Sequence, residues 1–152
     1  MLNIRTTKCS VTCFFIICIL VFLCVVSYNF HNSVKEMYVD DDNEIFKEIK
    51  NRIKQVSPVL AKIPIKSSNK TYILDKSVIY LCVKDDYTHT HDIDTVMIAY
   101  VHELAHSISE SIGHEEEFQK NNLLLLNCCH NKGLLNKYHK MPRMYCGVEN
   151  TN

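Results

Sequence analysis

A chain of 152 residues with 47% hydrophobic and 22% charged residues has room for one domain of ordinary size and is too apolar for a disordered chain. Seventeen basic residues balance seventeen acidic ones, so no overall positive field draws the chain to nucleic acid, and DNA or RNA partners are not expected.

The hydrophobic residues are unevenly spread. No charged residue lies between Lys8 and Lys35, and VTCFFIICILVFLCVV, Val11 to Val26, is almost wholly apolar. Extended through Phe30 as a helix it would measure roughly 27–30 Å, which leads to the expectation of a transmembrane anchor at residues 11–30 after a short N-terminal tail, 1–10. Arg5 and Lys8 precede the run and Asp40 to Asp42 follow it, so the positive-inside bias predicts a single-pass membrane protein with a cytoplasmic N-terminus. A cleaved signal peptide is the competing reading, with Val25 and Ser27 as small residues before the cut, although the uncharged run exceeds the usual ~7–15-residue signal core.

Residues 31–43 are polar and read as a tether leading into a domain over 44–152. In NEIFKEIKNRIKQV, Ile45, Phe46, Ile49, Ile53 and Val56 recur at helical spacing, Asn43 or Asp42 can cap the start, and Ser57-Pro58 stops the pattern. Pro64 and the SSNK run at 67–70 mark a loop. TYILDKSVIYLCV then has two β-rich halves flanking Asp75-Lys76, the signature of a hairpin. Asp92 or Asp94 can cap a helix from about Thr95, with Val96, Ile98, Ala99, Val101, Leu104, Ala105, Ile108 and Ile112 as its buried face and Gly113 as its end. A last helix is predicted from about Glu115 to Asn131. Its three leading glutamates suit a helix N-terminus, Leu123 to Leu126 supply core contacts, and Gly133 closes it.

Eight cysteines divide evenly: Cys9, Cys13, Cys18 and Cys24 in or beside the apolar run, and Cys82, Cys128, Cys129 and Cys146 beyond it. The second four allow three pairings in an oxidising compartment, although adjacent Cys128 and Cys129 are poorly placed to pair with each other; free buried thiols are the alternative. None shows C-x-x-C spacing, which argues against a cysteine zinc ribbon.

Chemistry is concentrated in VHELAHSISESIGHEEEF, residues 101–118. His102 and His106 stand four apart, so on a helix they differ by ~40° around the axis and ~6 Å along it and can close on one ion. Glu103 follows the first histidine, completing H-E-x-x-H, the pattern of zinc peptidases in which metal-activated water attacks a carbonyl while the glutamate acts as general base. Shuffling this composition would produce the pattern only about 0.02 times, so chance is a poor explanation. The bland alternative is surface histidines on a core helix. A third ligand is required: His114 would lie ~12 Å beyond His106 on a continuous helix, but a left-handed turn at Gly113 would bring it back, with Glu110 and Glu115 to Glu117 as substitutes. His89, His91, His130 and His139 read as solvated loop histidines. Tyr138 and Tyr145 are weighed as oxyanion donors against core packing.

With those residues in view, HELAH followed by IGHEEEF resembles the small zinc metallopeptidases of the WLM and SprT-like group, closest to single-domain members of large DNA viruses. MIAYVHELAH matches their apolar, tyrosine-containing approach to the motif, and DKSVIYLCVKD and MYCGV extend the likeness over roughly residues 70–148. The loop THTHDID and the segment GLLNKYHKMPRMYCG depart from the family pattern. The resemblance implies an α+β, compact zincin-like domain. In it a β-hairpin packs on the H-E-x-x-H helix and a following helix, Zn2+ is held by His102, His106 and His114, and Glu103 is the base. Larger relatives act on DNA–protein crosslinks, a substrate that neutral charge and a membrane segment argue against.

The expected function is a membrane-anchored zinc metallopeptidase acting on a peptide or protein substrate. The alternative is a non-catalytic, zinc-stabilised, membrane-anchored interaction module, which would need the three histidines but not Glu103.

Overall fold

A computed structural model describes the backbone of residues 4–37, 43–84 and 89–149, and the side chains of 14–30, 43–84 and 89–149. The chain divides into two units, residues 1–37 and 38–152. The first contains one continuous helix, α1 (Ile4–Met37), whose described side chains, Phe14 to Phe30, are all exposed.

No helix among the described residues is long and apolar enough to cross a membrane. This overturns the transmembrane anchor expected at 11–30, and with it the single-pass localisation. The physical reason is length: the run from Val11 to Val26 spans only about 24 Å at 1.5 Å per residue, short of a ~30 Å hydrocarbon core. Ser27 and Asn29 interrupt its apolar continuation.

The second unit is α+β. It comprises α2 (Glu44–Val56), β1 (Ile65–Ser67), β2 (Tyr72–Leu74), β3 (Val78–Leu81), α3 (Ile93–Ile108), α4 (Glu116–Asn131), β4 (Met144–Tyr145) and β5 (Val148–Glu149). Asn43, one of the two predicted caps, precedes α2 and its side-chain oxygen accepts the Ile45 amide at 2.9 Å; the helix buries Phe46, Ile49 and Ile53. The hairpin predicted around Asp75-Lys76 is β2–β3, with Leu74 opposite Val78 and both turn residues at positive φ, 48° and 55°. Strand β1, read as loop, pairs parallel to β3 on its other side, giving the order β1-β3-β2. Central β3 is therefore buried and β2 is an open edge.

Asp92 caps α3 through the Asp94 and Thr95 amides at 3.1 and 3.0 Å. The helix buries Val96, Met97, Tyr100, Val101, Leu104 and Ala105 against α2, the sheet and Phe118, Leu125 and Cys129 of α4. It stops at Ser109, four residues before the predicted end, and Ile112, expected in the core, is 91% exposed. Within α4, Leu125 is buried while Leu123 and Leu124 face solvent, so that leucine run supplies less of the core than expected. Arg52 joins the elements, donating to Asp94 at 3.0 Å and to the Leu134 carbonyl at 2.9 Å. A disulfide joins Cys82, just after β3, to Cys146 in the β4–β5 turn, and Cys128 and Cys129 are free.

Candidate metal centre

The spacing of four puts His102 and His106 on one face of α3, and the loop after α3 returns His114 to them. The Nε2 atoms of His102 and His114 are 3.1 Å apart, as are those of His106 and His114, and the three residues form one candidate metal-binding group. Phe118, one turn into α4, lies behind all three imidazoles, with ring centroids 4.9, 4.2 and 4.6 Å from those of His102, His106 and His114. An apolar backing of this kind limits how far the rings can turn away from one another.

The return of His114 does not use the left-handed turn expected at Gly113; the positive-φ glycines among the described residues are Gly133 and Gly147. The break comes earlier. Ser109 leaves the helix with φ −90° and ψ 141°, its hydroxyl donates to the Ala105 carbonyl at 2.7 Å, and Asn121 of α4 donates to that hydroxyl at 2.9 Å. The Lys76 ammonium, carried on the β2–β3 turn, donates to the Ser109 carbonyl and to those of Glu110 at 2.8 Å and Ser111 at 3.4 Å. From the other side the Glu117 carboxylate accepts the Glu110 amide at 3.0 Å and the Ser111 amide at 3.4 Å. Carbonyls and amides of the segment just past the helix thus find a cation and an anion, and the segment is held in its reversing path. Glu110 and Glu117, weighed as substitute ligands, contribute to this loop instead.

Burial and the neighbouring His114 and His106 hold the His102 pKa down to about 4. Burial, His114 and the charge on Lys76 lower that of His106. At neutral pH these rings carry free lone pairs, the state a metal ligand needs. Glu103 is 7% exposed, and burial pushes its carboxyl pKa up to about 7 against the stabilising hydrogen bond from the backbone amide of Ile73 on β2. The histidines, Glu103, Lys76 and the edge strand line one cleft of about 740 Å3, with Thr71, Tyr72, Ser111 and Ile112 at its margins.

The donor set fits a single tetrahedral ion. Three nitrogens at ~2.0–2.1 Å from one such ion lie ~3.3 Å from each other, close to the observed separations. Tyr138 is exposed, whereas Tyr145 is buried with its hydroxyl donating to the Cys82 carbonyl at 2.6 Å and 3.2 Å from Thr71 Oγ1, a packed position rather than an open donor. His139 is bonded to Thr95 at 2.8 Å beside the α3 cap. His91, read as a solvated loop residue, is half-buried with Nε2 3.5 Å from Cys146 Sγ. Cys82, His91 and Cys146 form a second group with metal-ligand chemistry. The sequence carried no sign of it, because the three residues share no short spacing.

Two viral proteins are similar to this chain. Uncharacterized protein 136R of Invertebrate iridescent virus 6 is 26% identical over 91 residues, covering 58% of this chain and 51% of that protein. Uncharacterized protein 042R of Invertebrate iridescent virus 3 is 29% identical over 91 residues, covering 59% and 57%. The chain thus spans about half the length of the curated relatives it matches, and the distant similarity supports a viral origin. No family model matches the chain, and no solved structure does.

Proposed function

We propose that this chain is a zinc-dependent metallopeptidase, as its resemblance to the WLM and SprT-like peptidases implies. The observation that carries the reading is the convergence of His102, His106 and His114 beside a buried Glu103 in one cleft. Zinc held by the three imidazoles would supply Lewis acidity, polarising a carbonyl and acidifying water. The protein supplies the rest. Glu103, buried beside the three imidazoles, accepts the proton released by the attacking water at a carboxylate oxygen and returns it to the departing amine. The Ile73 amide fixes the orientation of that carboxylate, and the Phe118 ring packs against the three imidazoles. A cleft of about 740 Å3 has room for a few residues of a peptide.

A non-catalytic zinc-stabilised interaction module is the second reading, and one observation favours it: the Tyr145 hydroxyl is committed to the Cys82 carbonyl and so is not offered to an oxyanion. Glu103→Gln separates the two, because the near-isosteric amide leaves the three histidines in place. In a peptide-library digestion at equal zinc loading, wild type cleaves and Glu103→Gln is slower by ~10²–10⁴-fold. His114→Ala loses zinc and activity together. Cleavage unchanged in Glu103→Gln defeats the peptidase mechanism, and absence of cleavage by a zinc-loaded wild type favours the module.

A further inference from the structure

Cys82 follows β3 directly, and Cys146 is the first residue of the two-residue turn between β4 and β5, at φ 51° with Gly147 at φ 77°. That geometry is a primed hairpin turn, which presents the Cys146 side chain from the tip of the hairpin. His91 arrives by a third route: Lys84 and Thr90 bridge antiparallel, and the His91 amide donates to the Val83 carbonyl at 2.9 Å, bringing residue 91 back beside residue 82. The two sulfurs and the His91 nitrogen lie within 4.8 Å of one another. The carbonyl oxygen of Lys84 is 3.1 Å from Cys82 Sγ and 3.9 Å from Cys146 Sγ. Both cysteines are buried, and the His91 ring rests against Tyr145 with centroids 4.8 Å apart.

A crosslink alone needs two sulfurs and packing. Here an imidazole nitrogen and a carbonyl oxygen also converge on the sulfur pair, making a set of two soft donors, one borderline donor and one hard donor. We propose that Cys82, His91 and Cys146 form a redox-selected second metal site: a disulfide when oxidised, and a Cys2His site for a thiophilic divalent ion such as zinc when reduced. The reducing step requires a dithiol. Its two thiols become a disulfide, the two electrons cleave the Cys82–Cys146 bond, and the two protons leave both cysteines as thiols. Binding of the divalent ion then releases those two protons to solvent, the two thiolates balance its charge, and His91 contributes Nε2. The Lys84 carbonyl or a water completes four donors.

Thiolates on one tetrahedral ion at ~2.3 Å lie ~3.8 Å apart, so the sulfurs must separate by side-chain rotation. The Cα atoms, 6.2 Å apart, allow it, and the exposed turn at Gly147 and Val148 can follow. Either state ties the C-terminal hairpin to the end of β3 across 64 residues of sequence, so the link survives a change of redox compartment.

The test is zinc content of the full-length protein, loaded with Zn2+ alone, in the oxidised form and after dithiol reduction and anaerobic removal of the reductant. The expected result is about one zinc per chain oxidised and about two reduced. His91→Ala keeps the disulfide and therefore folds oxidised; on reduction it should stay at about one. In a His102→Ala/His106→Ala background the counts should be about zero and about one, so loss of the first centre does not mask the second. With Co2+ in place of zinc, thiolate-to-cobalt charge-transfer absorption should appear on reduction in wild type and be weakened or absent in His91→Ala. Equal zinc content in the two redox states, or a second ion whose retention and cobalt spectrum are indifferent to His91→Ala, would overturn the proposal.

Discussion

Glu103 is a carboxylate in a place that disfavours its charge. In the metal-free chain its folded pKa of about 7 lies above the ordinary 4.5, so the stability it contributes is complete below about 4.5 and is lost as pH rises through about 7. That difference is worth about 3 kcal/mol. His102 has the opposite sign: with a folded pKa of about 4 against 6.5, its contribution is complete above about 6.5 and is lost as pH falls through about 4. Between about 4.5 and 6.5 their pH slopes are opposite and nearly cancel, although both groups cost stability there. Glu103→Gln removes only the first, so in chelator the variant should be more stable than wild type by about 3 kcal/mol at pH 8, with the gap closing near pH 4. Urea unfolding midpoints across that range check this, and a pH-independent gap would contradict the buried ionisable carboxylate. His102, Glu103 and His106 were legible because their geometry follows from helical spacing alone. His114 was legible as a residue but not in its route. The chain leaving α3 is held in part by Lys76, 33 residues away from Ser109, and no local pattern records such a contact.

At the scale of elements, the loop between α3 and α4 is clamped by Lys76 from the β2–β3 turn and Glu117 from α4. Neither side chain belongs to the metal-binding group; both fix the segment that delivers His114. Lys76→Met and Glu117→Gln should each weaken zinc retention by ~10–100-fold while leaving the ligand set intact. Competition with a fluorescent chelator measures this, and wild-type affinity in both variants would show that His114 is positioned without the clamp. Local signals found the elements whose cause is local: the Asn43 cap, the Asp75-Lys76 turn and the Asp92 cap. Strand β1 escaped because three residues after a proline carry little pattern and its partner, β3, lies beyond an intervening strand. The leucine run of α4 misled for a related reason: four adjacent apolar residues cover all sides of a helix, and packing alone selects which of them is buried.

For the whole molecule, composition suggested one domain and an apolar N-terminal segment, and the described residues resolve into a helical unit and an α+β unit. The apolar run was legible as a helix, but its hydropathy overstated its reach, since a span requires uninterrupted length as well as apolar character. In the α+β unit the candidate metal centre joins α3 to the loop before α4, so an ion bound there should add folding stability, by ~4 kcal/mol at a thousandfold excess over its dissociation constant. Thermal unfolding with and without chelator should show that difference in wild type and lose it in His102→Ala/His106→Ala. A chelator shift of equal size in both would place the stabilising ion elsewhere.

The most direct test is zinc K-edge X-ray absorption on the oxidised, zinc-loaded wild-type chain, in which Cys82 and Cys146 are bonded to each other and withheld from the metal. The expected result is a first shell of three imidazole nitrogens at ~2.0–2.1 Å with a light-atom fourth neighbour, and loss of the bound ion in His102→Ala/His106→Ala. A sulfur-containing shell, or zinc retained unchanged by that double variant, would contradict it.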